Sequence, residues 1–349
     1  GAVDIARLRF WLSLIVNEEK PIALPNLDYK IVVGDSLLSK FGEQVIDIDW
    51  DIKGNSDFQK KIKKSIEELV DAKKDFFELK KEKVNAKKDI RTKTIDLLVN
   101  ILTFDKEKYF KEHSKTKSLF DQTTKEKQQQ LAFDNHIYGF DKAIKELKFL
   151  KTNNEKFDFF DWKIDFAELL NENFSKNVGF DIVIGNPPYV TFKGKEKVNI
   201  SEIQLKKLIE NYPNSAEYKV NSYALFVESG LKLLKNDGNI NYIIPGTILQ
   251  NEYLKNIRKH LIVDNNLLKI VTFGNKVFNA VTDSIILLAT KNTNQNTFCS
   301  FIRKNNLDFT INDEKKYKTK NWNNGVDYII NLKTNDLEDI ILNNIEKDS

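Results

Sequence analysis

A chain of 349 residues with 41% hydrophobic content is long enough for one to three packed domains. Its net charge of +4 is too small to argue for nucleic acid by itself, and its single cysteine, Cys299, excludes an intrachain disulfide and fits a reducing cytoplasm. Three separated histidines without a cysteine cluster speak against a zinc site, and no apolar run approaches a membrane span or a signal peptide, so neither metal nor membrane is expected.

In chain order, Ile31-Val32-Val33 reads as a strand that Gly34-Asp35 ends. Residues 51–130 carry a local excess of Lys and Arg, with apolar residues near helical period from Phe58 to Val84 and again from Ile90 to Leu102. This predicts a long helical hairpin, a polar loop from Lys115 to Gln130 and a helix near Asp141–Leu150. As function it is a basic arm touching phosphates. As structure it is a solvated face of mixed charge, and the weight falls there. Within it, Asp75…Glu78-Leu79-Lys80 matches the acid…Glu-x-Lys set of many nucleases, but that set belongs on a strand and this composition is helical.

Phe180-Asp181-Ile182-Val183-Ile184-Gly185 then reads as a buried strand, stopped by Asn186-Pro187-Pro188-Tyr189. A helix over 223–234, a strand over 239–244, helical character over 247–262 and strands over 268–273 and 284–290 follow. A further strand at 298–302 and a helix over 332–345 complete the pattern. Strands alternating with helices predict an α/β chain whose sheet is rich in parallel pairs and covered on both faces.

Both prolines of the tetrapeptide have fixed φ, and Pro187 pushes Asn186 out of the helical region. Asn186, the Pro187 carbonyl and Tyr189 are thus held stiffly at a strand's carboxyl end, where open α/β sheets bind ligands. An amide oxygen, a backbone carbonyl and an aromatic ring suit a planar group bearing NH2, such as adenine. That amine is a poor nucleophile, and two acceptors on its hydrogens favour the pyramidal geometry that attacks a methyl. The bland alternative is a strand-ending turn with an exposed tyrosine.

The tetrapeptide resembles the catalytic motif of S-adenosylmethionine-dependent amino-methyltransferases. The wider series resembles the N6-adenine DNA methyltransferases of type II restriction–modification systems. It comprises Ala6-Arg7-Leu8-Arg9-Phe10-Trp11-Leu12-Ser13-Leu14, the run from Pro25 to Leu38, Phe160-Asp161-Trp162-Lys163-Ile164-Asp165-Phe166, Asn221-Ser222-Tyr223-Ala224-Leu225-Phe226-Val227-Glu228, Gly238-Asn239-Ile240-Asn241-Tyr242-Ile243-Ile244-Pro245 and Val277–Ile285. The match covers residues 1–50 and about 157–290; in order the motifs are specific, though each alone is weak.

The resemblance implies a Rossmann-like methyltransferase sheet, incomplete here, with a long helical insertion. Its domains would be a first core part at 1–50, a charged helical insertion at 51–156, the core with the catalytic loop at 157–295 and the start of a target recognition region at 296–349. Asn186 and Pro187 would accept from the adenine amine, Pro188 would stiffen the loop, and Tyr189 and Phe278 would stack on a base flipped from duplex DNA. Asp35 would accept from the cofactor's adenine amine with Leu37 or Leu38 beside the ring; alone, Asp35 reads equally as a turn cap. The last two core strands, 268–273 and 284–290, would form a hairpin at the sheet edge. The family's glycine-rich cofactor loop and ribose-binding acid have no counterpart here, and methionine is absent. The expectation is a piece of a longer protein, inactive alone, whose parent carries any restriction or specificity domain. Two alternatives stay open: a non-catalytic module that docks DNA or a subunit, and a methyltransferase acting on protein glutamine.

Overall fold

The computed structural model describes residues 2–16, 30–77, 83–114, 124–155, 157–172, 176–193, 198–273, 283–292, 298–304, 314–323 and 325–332. The chain divides into two compact units, residues 1–166 and 167–349.

The first unit opens with helix α1 (Ala2–Ile15) and a two-residue hairpin, β1 (Lys40–Phe41) and β2 (Gln44–Val45). Three long helices follow, α2 (Asp57–Phe77), α3 (Lys83–His113) and α4 (Thr124–Asn153), packed α2 on α3 and α3 on α4. Ile62, Ile66, Leu69 and Val70 of α2 are buried, as are Ile95, Leu98 and Leu102 of α3, the three-and-four spacing that puts them on one helical face. Asn100 Nδ2 donates to Ser65 Oγ at 2.8 Å across the α2–α3 seam, and Lys151 reaches Asp96 at 2.5 Å across α3–α4. On the solvent side Lys64–Glu68 and Lys93–Asp89 make the i,i+4 pairs of a solvated charged face.

Two expectations change here. Helix α4 begins at Thr124, inside the segment read as a polar loop, because Lys, Glu and Gln are strong helix formers despite their polarity. Ile31-Val32-Val33 joins no ladder among the described residues, and Val33 is 76% exposed. β-Branched residues favour a strand only where a partner edge exists; the Ile31 carbonyl instead accepts from the Arg7 guanidinium at 2.9 Å. Glu78 and Lys80 of the nuclease-like set lie outside the described residues, and Asp75 sits on α2.

A half-buried acidic knot closes this unit at α5 (Trp162–Asp165). Asp161 caps the helix, accepting from Ile164 N at 2.9 Å and from Ser39 Oγ at 2.7 Å. The Asp165 carboxylate accepts from Asp161 N at 3.0 Å, and Lys73 donates to the Ile164 carbonyl nearby. Burial raises both acids, Asp165 to about 6.

The second unit starts with the short helix α6 (Ala167–Leu170) and builds one six-stranded sheet. In sequence its elements are β3 (Phe180–Gly185), α7 (Glu202–Asn211), α8 (Ser222–Leu233), β4 (Leu234–Pro245), α9 (Lys255–Lys259), β5 (Asn266–Phe273), β6 (Ser284–Thr290), β7 (Phe298–Lys304), β8 (Glu314–Lys318) and α10 (Thr319–Asn323). The spatial order is β3-β4-β6-β5-β7-β8. Pairs β3–β4 and β5–β7 are parallel, whereas β4–β6, β5–β6 and β7–β8 are antiparallel. The α/β class and the helical insertion are therefore as expected, but the sheet is mixed, because the β5–β6 hairpin folds back between β4 and β7. That hairpin does not lie at the edge: β7 and β8 extend the sheet beyond it.

One sheet face is dry. Ile240, Tyr242 and Ile244 of β4, Leu287 and Ala289 of β6 and Ile270 of β5 join Tyr223, Ala224, Val227 and Leu231 of α8 in the core. The other face is not sealed: Ile182 and Ile184 of β3 are 65% and 76% exposed. So β3 is not the buried strand its apolar run suggested. It pairs only with β4, and period-two alternation sends Val183 inward and both isoleucines outward. The segment expected to be helical at 247–262 is broken into short turns flanking α9, stapled by Arg258. Its buried guanidinium donates to the carbonyls of Ile248, Asn251 and Asp327 at 2.7–3.2 Å. The expected helix at 332–345 lies outside the described residues except for Leu332.

Entry into β3 depends on Gly179, at φ 126°, where an added Cβ would fall 2.1 Å from Lys235 N. Gly179→Ala is expected to destabilise this unit by about 2 kcal/mol or more in urea melts; an unchanged midpoint would contradict it. In the first unit, Asp165 binds its proton more tightly folded than unfolded. Stability should therefore fall as pH rises from about 4 to about 6 and stay lower above that. Asp165→Asn should reduce this slope, leaving the part that Asp161 contributes, and gain on the order of 2 kcal/mol at pH 7; an unchanged slope would rule the assignment out.

Candidate active site

The tetrapeptide sits where β3 leaves the sheet. Pro187 is buried, whereas Asn186, Pro188 and Tyr189 are exposed. Neither the Asn186 carboxamide nor the Pro187 carbonyl has a hydrogen-bond partner among the described residues. The two acceptors singled out from the sequence lie on adjacent residues, one exposed and one buried, and neither is spent on the fold.

The groups around them are spent on holding the loop. Ser222, the first residue of α8, accepts from Val190 N at 3.0 Å through its hydroxyl and donates the hydroxyl proton to the Pro188 carbonyl. Its own N–H donates to Val190 O at 2.9 Å. Asn221 Oδ1 accepts from Thr191 Oγ1 at 3.2 Å, and residues 191 and 221 form an antiparallel bridge. The Tyr189 hydroxyl donates to the Ile243 carbonyl at 3.0 Å, and Tyr223 meets its ring edge-on at 6.3 Å. Tyr223 is in turn fixed by a 3.0 Å bond to Thr247 Oγ1. Tyr189 therefore presents one ring on a fixed tether.

Val220, just before this clamp, has φ 51° and is buried. A β-branched residue in the left-handed region costs about 1–3 kcal/mol and persists only where its surroundings over-determine it. Here its carbonyl accepts from Phe192 N at 3.0 Å and its N–H reaches Glu217 O at 3.2 Å. Strain is held beside the loop that must stay fixed.

Ser222, Tyr223 and Val220 carry no role in the sequence reading, although Asn221-Ser222-Tyr223 stands out as a motif. The available signal was a cap-type pair, Asn-Ser, opening an apolar helix. What it clamps is a loop thirty residues earlier, which local sequence does not reveal. Phe278, expected to stack opposite Tyr189, lies outside the described residues.

In the first unit, Asp35 lines a cleft of about 670 Å3 walled by Arg7, Ile31 to Gly34, Leu38, Lys40, Phe157 to Phe160 and Asp165. Asp35 Oδ1 accepts from Leu37 N at 3.0 Å and Leu38 N at 3.2 Å, the turn-capping geometry. Its Oδ2 pairs with Lys40 at 2.8 Å. Leu37 and Leu38 are both buried, and of the two Leu38 lines the cleft. Phenylalanines wall the cleft, and four carboxylates line it, those of Asp4, Asp35, Asp158 and Asp165.

No group of His, Cys, Asp and Glu among the described residues could hold a metal ion, and no described helix is long and apolar enough to cross a membrane.

Comparison with known proteins converges on one family. The model of the Eco57I restriction-modification methylases matches residues 1–278. A "Putative type II restriction enzyme and methyltransferase RM.MjaORFECS2P" from Methanocaldococcus jannaschii is 27% identical over 327 residues, covering 83% of this chain and 25% of that protein. The "Type II restriction enzyme and methyltransferase RM.Eco57I" from Escherichia coli is 30% identical over 145 residues, 41% of this chain and 13% of the relative. The "Type II methyltransferase M.HincII" from Haemophilus influenzae is 33% identical over 115 residues, 31% and 21% of the two chains. The chain thus spans a quarter or less of the length of these curated relatives. With more than half of its residues matched by the family model, the chain belongs to the Eco57I restriction-modification methylase family.

Proposed function

We propose that this chain carries the catalytic corner of a DNA methyltransferase that uses S-adenosylmethionine and acts on the N6 amine of adenine. One observation carries the reading: two neutral acceptors without partners, Asn186 Oδ1 and Pro187 O, beside the tethered ring of Tyr189. Family membership and relatives named as type II methyltransferases support DNA as the substrate.

In this mechanism a target adenine leaves the duplex, at a cost of a few kcal/mol that stacking on Tyr189 partly offsets. Asn186 Oδ1 and Pro187 O each accept one hydrogen of the exocyclic amine, which frees its lone pair from the ring. S-Adenosylmethionine, when bound, supplies a methyl group on a positive sulfur. The chain's own part is to hold the amine: with its lone pair freed by the two acceptors it would be the nucleophile towards that methyl group, and its proton would pass to water without a general base. The Ser222 clamp keeps both acceptors in place throughout. Asp35 and Leu38 would receive the cofactor's adenine in the cleft of the first unit, with Lys40 turning aside from Asp35. Phe278 would close on the second face of the flipped base.

Labelled-methyl transfer to unmethylated bacterial DNA tests this in the complete gene product. Asn186→Ala should lower kcat about 100-fold or more, as loss of one preorganised polar group does elsewhere; undiminished turnover would reject the assignment. Tyr189→Phe keeps the ring and loses the bond to Ile243, so a loss of only several-fold is expected, against a much larger one for Tyr189→Ala. Equal losses would show that the ring does not stack. Transfer to protein glutamine and not to DNA would favour the glutamine alternative.

A further inference from the structure

The surface that continues from the catalytic loop carries a second aromatic group. Tyr218 is 62% exposed and Tyr253 39% exposed, yet their rings stack on each other at 4.9 Å between centroids and 29° between planes. Lys193 Nζ lies 5.9 Å from the centre of the Tyr218 ring. Two large rings in water need a reason.

The backbone ties this group to the tetrapeptide. Residues 190–193 run antiparallel to 219–222, with Phe192 N donating to Val220 O at 3.0 Å and Lys193 N donating to Lys219 O at 3.1 Å. The strained Val220 and the clamping Ser222 lie on the same strip as Tyr218. Lys193 stands four residues beyond Tyr189 on the same loop.

The chemistry favours a nucleic-acid strand over a protein. Ring faces with an ammonium beside them are what proteins offer to bases, sugars and phosphates, whereas lysine is depleted at protein interface centres. The acids nearby are engaged within the protein. Glu217 accepts from Asn256 N at 3.3 Å, and Asp327 pairs with Lys255 at 3.7 Å. Lys193 and Lys219 both face solvent.

We propose that Tyr218, Tyr253 and Lys193 form a platform for the DNA strand flanking the everted base, the rings taking a base or deoxyribose and the ammonium a phosphate. This rests on the DNA-methyltransferase reading and adds to it the surface that holds the substrate beside the reacting nucleotide.

The test is anisotropy titration of the complete gene product with a short labelled duplex of mixed sequence, across several salt concentrations, alongside methyl transfer to unmethylated bacterial DNA. Tyr218→Ala should weaken duplex binding about fivefold or more, and Tyr218→Phe should bind as wild type. Lys193→Gln should reduce the slope of log affinity against log salt by about 0.9, with an unchanged thermal midpoint. Methyl transfer by the wild-type protein, together with unaltered affinity in Tyr218→Ala and unaltered salt slope in Lys193→Gln, overturns the platform and leaves the function standing. A wild-type protein that methylates no DNA overturns both.

Discussion

One hydroxyl organises the catalytic corner. Ser222 Oγ takes the Val190 N–H and gives its proton to the Pro188 carbonyl, so it closes a ring around Tyr189 from both sides. Two prolines supply stiffness before the clamp, and the Asn221–Thr191 bridge supplies it after. Because the loop's polar groups are satisfied by α8 and by the Ile243 carbonyl, the Asn186 amide and Pro187 carbonyl need not serve the fold. Asn186 is exposed on a fixed backbone and Pro187 is buried, and neither acceptor has a partner among the described residues; that division between groups spent on geometry and groups left unspent is what the proposed function rests on.

The corner was legible in the sequence because its signals are local. Gly185 followed by Asn-Pro-Pro ends a β-branched run, and proline's fixed φ needs no tertiary context. The bounds of β5 and β6 were nearly as legible from period, and Pro245 ends β4 as read, but β4 begins at Leu234 directly after α8, so Gly238 lies within the strand and is not the break that ends the helix. Pairing order was not. Nothing local says that β6 lies between β4 and β5 or that β7 extends the sheet, since strand order depends on residues far apart in sequence. The same blindness placed β3 in the interior. Phe180–Ile184 is apolar enough for a buried strand, yet only Val183 faces the dry side. Ile31–Val33 failed as a strand for the complementary reason: its composition was right and its backbone found no partner.

The acids divide in a similar way. Asp35 is the residue on which family resemblance and local geometry compete: its oxygens cap the turn and pair with Lys40 while it lines the cleft. Asp161 and Asp165 are half-buried and raised, and their hydrogen bonds run to Ser39 and to backbone of α5 and its cap, which accounts for Asp161 within the fold, while Asp165 also lines the cleft. Perturbed acids mark function only when their partners face a ligand.

The central claim is chemical: a pair of neutral acceptors beside a ring selects an exocyclic amine, and in this corner the amine of adenine. Digesting DNA methylated by the complete gene product to nucleosides and separating them by mass tests it most directly. The account predicts the transferred methyl in N6-methyl-2′-deoxyadenosine. Recovery of the label on cytosine instead would contradict it.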